Sequence, residues 1–203
     1  MTWNSSVSGE DADGETLLDP DEREGLLFTH VRTRAELNAL EQENIQQAEE
    51  WLLRQRKHRD YFSRDFLFEL HRQMFGQVWR WAGQPRKTEK NIGVDPRVIA
   101  VELHNLLEDA RVWVAEDSYP VLEFAARFHH RLVKINVFPN GNGRHARIMT
   151  EVLVQRELAE TPPRWTGNRN GYLRALRAAD QGDIHPLIAW VAAAGVAGET
   201  QDS

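Results

Sequence analysis

The residues of this chain that could do chemistry gather in one stretch, Ile135 to Arg147, which holds Asn136, Phe138, Asn140, Gly141, Asn142, Gly143, Arg144, His145 and Arg147. Apolar helical spacing runs up to this stretch from Pro120 and resumes after it from Ala146. Between them lies a turn too rich in Asn and Gly to be helix or strand. Gly141, Asn142 and Gly143 can bring backbone N–H groups close to a ligand, because glycine has no Cβ in the way. A helix beginning near Gly143 has unpartnered N–H groups in its first turn and a dipole that favours negative charge. Arg144 and Arg147, at i and i+3, project from neighbouring parts of that turn. Two guanidiniums repel the partial positive charge of a helix N-terminus. A bound anion relieves the conflict, and phosphate is the natural candidate. The plainer reading is a Gly-Asn turn carrying two solvated arginines.

The elements that must position this turn are helical. Thr33 and Glu36 form a capping box that opens a helical pattern over 33–56, with Leu37, Leu40, Ile45, Ala48, Trp51 and Leu52 on one side. A second helix is expected from Arg64 to Gln77, burying Phe66, Leu67, Leu70, Met74 and Phe75. Residues 83–96 carry Gly83, Pro85, Gly93 and Pro96 among many charges, which predicts a loop or short hairpin. Helical spacing returns over 97–114. Pro120 suits the first position of the next helix, which carries Val121, Phe124, Ala125, Phe128, Leu132 and Val133. His129 and His130 read as one packed and one exposed residue of it. The helix after the turn runs to about Leu158 and is stopped by Pro162-Pro163. Asn168 and Asp183 are placed to cap two further helices, the last ending at Gly195. The pattern is an all-α domain with a short β element.

A chain of 203 residues, 41% hydrophobic and 28% charged, is an ordinary globular composition. No apolar run reaches the roughly 20 residues of a membrane span, and the net charge of −6 argues against direct nucleic-acid binding. The absence of cysteine excludes disulfides and thiolate metal sites and fits a cytoplasmic setting. Residues 1–28 form an acidic lead-in without periodicity, expected to be loosely ordered; 29–197 hold the domain, and 198–203 a frayed tail.

The central stretch resembles the Fic motif, His-Pro-Phe-x-(Asp/Glu)-Gly-Asn-Gly-Arg-x-x-(Gly/Arg). Phe138, Gly141, Asn142, Gly143, Arg144 and Arg147 match it in register. Asn136 stands where the family has its catalytic His, Val137 replaces Pro, and Asn140 replaces an acidic residue. The resemblance implies a Fic fold of about seven to eight helices with a short β-hairpin flap. It also implies an activity, transfer of AMP from ATP to a protein hydroxyl. Gly141, Asn142 and Gly143 would form the anion hole, Arg144 and Arg147 would hold the β- and γ-phosphates, and Phe138 would anchor the loop. Asn136 cannot act as a general base, since a carboxamide stays neutral. Loss of a positioned base costs roughly 10²–10⁴-fold in rate. His145 and His129 lie nearby but do not occupy the motif position. Asn140 offers one neutral oxygen where the family acid binds Mg²⁺, a weaker ligand for a hard cation.

Trp79 to Lys87 resembles the family's Trp-Ala-Gly-x-x-Arg segment, and the loop after it resembles the flap that positions a target by strand addition. Ile92 and Gly93 would lie near the site. Glu43-Asn44 resembles the end of the family's inhibitory pattern, (Ser/Thr)-x-x-x-Glu-(Gly/Asn), with Ala39 in place of Ser/Thr. In that reading Glu43, on the inhibitory helix at about 33–56, pairs with Arg147. Leu18 to Glu22, Ala35 to Asn38, Glu41 to Ile45 and Phe138 to Arg147 together resemble the mobile mystery protein B subfamily. Its members are bacterial and encoded beside a helix-turn-helix protein, which implies such a partner besides the target protein. The expected function is an autoinhibited Fic-like adenylyltransferase weakened at Asn136. The alternatives are a non-catalytic nucleotide- or protein-binding module, or a toxin-like component of a mobile bacterial module.

Overall fold

The computed structural model of the chain describes residues 25–55 and 59–196. The tail and most of the acidic lead-in lie outside the described residues. Among the described residues seven α-helices follow in order: α1 (Arg34–Leu53), α2 (Arg64–Phe75), α3 (Ile99–Ala115), α4 (Val121–Ile135), α5 (Asn142–Glu157), α6 (Arg169–Asp180) and α7 (His185–Val196). A 3₁₀ turn, Pro96–Val98, leads into α3. The fold is all-α, as expected. Among the described residues, no helix is long and apolar enough to cross a membrane.

Local chemistry fixes the helix starts. Thr33 accepts from the Glu36 N–H, and the Glu36 carboxylate accepts from the Thr33 N–H at 3.0 Å, so the capping box is complete. Ser63 caps α2, and Asn168 caps α6 through the Gly171 N–H. Asp183 accepts from the His185 N–H at the head of α7. Pro120 stands at the N-cap of α4 rather than at its first helical position.

The main core is built by Phe66, Leu67, Leu70, Met74 and Phe75 of α2, Phe124, Phe128 and Leu132 of α4, and Met149 and Leu153 of α5. Each such burial is worth about 1.5–3 kcal/mol. α1 packs on α2, and α4 packs between α3 and α5. A smaller cluster of Trp165, Tyr172, Ala175, Leu187 and Val191 joins α6 and α7.

Two expectations change. The segment expected as a hairpin, 83–96, forms no strand or bridge; the Leu26–Trp79 bridge lies outside it. The loop is held instead by a buried arginine, described below. His129 and His130 are both buried, because His130 finds Asp180 at 2.9 Å rather than solvent.

Candidate functional site

α4 ends at Ile135, and Asn136 turns the chain in the left-handed region, φ 53° and ψ 62°. Asn tolerates that conformation better than most residues. Phe138 then plugs into the core, its ring stacked 3.7 Å from that of His71. Asn142 closes the turn with both side-chain atoms: Oδ1 accepts from the Phe138 N–H at 2.9 Å and Nδ2 donates to the Phe138 carbonyl at 2.8 Å. Gly141 has φ 77°, and a Cβ there would stand 2.7 Å from the Phe75 ring, so only glycine fits.

α5 starts at Asn142, and the His145 N–H bonds back to the Gly141 carbonyl at 2.9 Å. The N–H groups of Asn142, Gly143 and Arg144 therefore stand ahead of the first turn's bonds. The Gly141 N–H, expected in the same anion hole, is taken by the Asn140 side-chain oxygen at 2.7 Å. Gly143 differs from Gly141: its φ is ordinary, and a Cβ on it would meet nothing within 4 Å. The protein itself does not require glycine there. The space beside the Gly143 Cα, where a Cβ would stand, is open.

The two motif arginines are brought to the same helix end but face different neighbours. Arg144 lies over the Phe75 ring and pairs with Glu41 at 2.7 Å. Glu41 is only 2% exposed, and its second oxygen accepts from the Trp79 indole N–H at 2.6 Å. Arg147 lies over the Tyr172 ring on α6. The expected Glu43–Arg147 pair is not formed. Glu43 is exposed on α1, two residues and roughly 200° around the helix from Glu41. Asn44, its neighbour, is buried and ties α1 to the end of α2, donating to the Gln73 carbonyl at 2.8 Å and accepting from the Gln77 N–H at 2.9 Å. The carboxylate that α1 presents to the motif is thus Glu41, and its partner is the first motif arginine.

The loop expected as a flap does reach the motif. Asn136 Nδ2 donates to the Ile92 carbonyl at 3.1 Å, and Gly93 passes so close that a Cβ would stand 2.7 Å from Asn136 Cβ. Ile92 itself is exposed. Arg86, buried, fastens this arrangement. Its guanidinium donates to the carbonyls of Asn136 at 2.6 Å and Thr88 at 3.0 Å, and also to Val94. A cation among the last carbonyls of α4 also complements the helix dipole. Sequence reading singled out the segment containing Arg86 but gave the residue no role. Its carbonyl partners come from the loop and from α4, so no local pattern announces them.

His71 was not singled out beforehand. It accepts from the Gly83 N–H at Nδ1, 3.0 Å, which leaves Nε2 as the donor to the Asn140 carbonyl at 3.1 Å. It therefore joins the loop's base to the motif turn. Burial first, then the nearby His145, hold its pKa well below the usual histidine range, so the ring is neutral. His145 points into the core, bonded to the Leu67 carbonyl at 3.0 Å, and burial pushes its pKa down to about 4. It is not aimed at the open space beside Gly143. His129 is bonded to the Tyr172 hydroxyl at 2.8 Å, away from position 136. Asn140, at the family's metal position, spends its oxygen on Gly141. No cluster of three or more His, Cys, Asp or Glu able to hold a metal occurs among the described residues. The donor set does not fit a metal ion held by the protein itself. What the arrangement can do is bind an anion: backbone N–H groups at a helix N-terminus, with Arg144 and Arg147 in the first turns of the same helix.

Residues 61–154 match the Fic/DOC family. Protein adenylyltransferase Fic of Nematostella vectensis is 32% identical over 135 residues, covering 63% of this chain and 31% of that protein. Protein adenylyltransferase fic-1 of Caenorhabditis elegans is 28% identical over 144 residues, covering 67% of this chain and 28% of that protein. The chain thus spans under a third of the length of these curated relatives. Among solved structures, Fic-1 from C. elegans superposes with a TM-score of 0.68 at 24% identity, covering 86% of this chain and 52% of that one. The N-terminal Fic domain of a VirB-translocated Bep effector protein from Bartonella quintana, with bound ADP, gives a TM-score of 0.68 at 18% identity, covering 82% and 87%. The likeness to these structures concerns the fold. The motif turn set between α4 and α5 lies within residues 61–154, the part of the chain that matches the Fic/DOC family.

Proposed function

We propose that this chain is a Fic-like adenylyltransferase restrained by its own first helix and weakened at position 136. ATP would be its nucleotide and an unidentified protein hydroxyl its target. The observation that carries the reading is Gly143. A glycine that neither backbone angle nor packing demands, at an N-terminus flanked by Arg144 and Arg147, fits the close approach of phosphate oxygens. The N–H groups of Asn142 and Gly143, with both guanidiniums, would hold the phosphates and stabilise charge that builds up on phosphoryl oxygens during transfer. Mg²⁺ would reach the site on the phosphates rather than on a protein carboxylate, since Asn140 supplies none.

Restraint would come from Glu41 rather than Glu43. Its carboxylate occupies Arg144, one of the two cations the phosphates need. Such a pair competes directly with the nucleotide. A non-catalytic, nucleotide-binding role is the second reading, favoured by the Asn136 side chain, which is neutral and already bonded to Ile92. The subfamily resemblance supports a bacterial, cytoplasmic protein acting with a helix-turn-helix partner, either as a modifying enzyme or as a toxin-like component. The acidic lead-in at 1–28 and the tail at 198–203 would then flank a Fic-like domain over 29–197.

Calorimetry with ATP and Mg²⁺ tests the site. Binding that is weakened by Arg144→Ala and by Arg147→Ala supports it. No binding by the parent or by Glu41→Gln overturns it.

A further inference from the structure

The carboxylate of Glu41 is held from two sides. One oxygen meets Arg144 at 2.7 Å, and the other accepts from the Trp79 indole N–H at 2.6 Å. A buried carboxylate needs partners for its lone pairs, and removing one donor leaves the charge under-satisfied. Trp79 is therefore part of what makes the buried position of Glu41 favourable.

Trp79 is in turn fixed by the residues ahead of α1. The Leu27 N–H donates to the Val78 carbonyl at 2.9 Å, and the Arg80 N–H donates to the Gly25 carbonyl at 2.9 Å, which makes an antiparallel bridge between Leu26 and Trp79. The Trp79 ring stacks on that of Trp81 at 4.9 Å. Gly25 lies flat on Trp81, so close that a Cβ would stand 2.5 Å from the indole. The contacts form a continuous chain from Gly25 through Trp79 and Glu41 to Arg144.

We propose that Trp79 is a positioning residue whose indole N–H holds Glu41 against Arg144, with Gly25–Leu27 keeping the indole in place. The segment ahead of α1 then sets how readily the site opens to a nucleotide. This inference rests on the reading of Glu41 as the restraining group. A merely structural indole predicts the opposite response to substitution: losing it would loosen the fold and weaken binding.

The test is ATP affinity by calorimetry in the full chain, comparing the parent with Glu41→Gln, Trp79→Phe and the double variant. Phenylalanine keeps most of the packing and loses the donor. We expect Glu41→Gln to tighten ATP binding about tenfold and Trp79→Phe about fivefold, the scale of one ordinary net hydrogen bond. The double variant should bind no tighter than Glu41→Gln alone, because both changes act on one contact. Tightening by Glu41→Gln but not by Trp79→Phe overturns the role of Trp79 and leaves the site's reading intact. No tightening by Glu41→Gln overturns the restraint itself. If Trp79→Phe fails to fold, the indole N–H resonance of Trp79 in the parent carries the test: ATP saturation should shift it, and an unmoved resonance overturns the proposal.

Discussion

Asn136 donates its side-chain amide to the carbonyl of Ile92 at 3.1 Å, so the residue at the family's histidine position binds the loop expected to receive a target. Position 136 thus acts as a fastening for this loop. Whether a base can be added there without losing the fastening is an experimental matter with a clear readout.

Asn136→His should raise AMP transfer from labelled ATP at least about tenfold over the parent, a modest share of a general base's contribution. Histidine, like Asn, is among the residues found more often in the left-handed region, so the turn should survive. A parent already as active as the variant would mean that the base lies elsewhere.

Gly143→Ala should move stability and binding in opposite directions. The added methyl meets no protein atom within 4 Å, and alanine is the better helix former by roughly 1 kcal/mol. Melting temperature should therefore rise slightly. ATP affinity should fall about tenfold or more, because the methyl occupies the space through which phosphate oxygens approach. Unchanged affinity would leave the open space without a ligand.

Arg86→Lys should destabilise the fold by at least about 2 kcal/mol, since an ammonium cannot span the carbonyls that one guanidinium reaches. Hydrogen exchange should accelerate over residues 88–94 and at the end of α4, while α6 and α7 keep their protection. Uniform loss of protection would make Arg86 an ordinary core contact.

Acid should weaken the fold before carboxylate chemistry accounts for it. His145, held down to about 4, and His71, held well below the ordinary value of 6.5, are neutral in the folded chain. Unfolding lets both take up protons. Their contribution is complete above about pH 6.5 and is lost as pH falls toward 4, by roughly 2 kcal/mol or more. Glu151 has the opposite sign. Burial, then the nearby Glu49, pushes its carboxyl up to about 8, so its contribution declines as pH rises from about 4.5 to 8. Urea titrations across pH should show both limbs, and Glu151→Gln should flatten only the alkaline one.

Much of this architecture was readable from the chain. Thr33, Asn168 and Asp183 announce helix starts because capping is local chemistry, and all three cap as read. The motif turn was readable because Gly141 and Asn142 have no other plausible use between two helical patterns. The buried carboxylate of α1 was readable in principle. Leu37, Glu41, Ile45, Ala48 and Leu52 fall at helical spacing on the buried face, whereas Glu43 falls opposite. The family pattern points to Glu43, whereas the helical periodicity points to Glu41. Arg86 and His71 were not readable, since their partners are backbone carbonyls and an N–H, which carry no side-chain signature in the sequence. The absent hairpin has the same cause: Arg86 satisfies the carbonyls of Thr88 and Val94 that a ladder would otherwise need to pair.

Asn44 limits the ways in which Glu41 can leave Arg144. Its amide is bonded at both ends to the tail of α2, less than one turn beyond Glu41. Sliding α1 along its axis would break both bonds at once and strand a buried amide, a costly route. The middle of α1 is therefore a pivot, and the travel available to Glu41 is on its N-terminal side. If Glu41 restrains the site as proposed, its release would be confined to a side-chain swing or an unwinding of the turns before Asn44. Under the proposed restraint by Glu41, the part of α1 free to move would be the stretch from Thr33 to Glu43, with Asn44 holding the rest of the helix on α2.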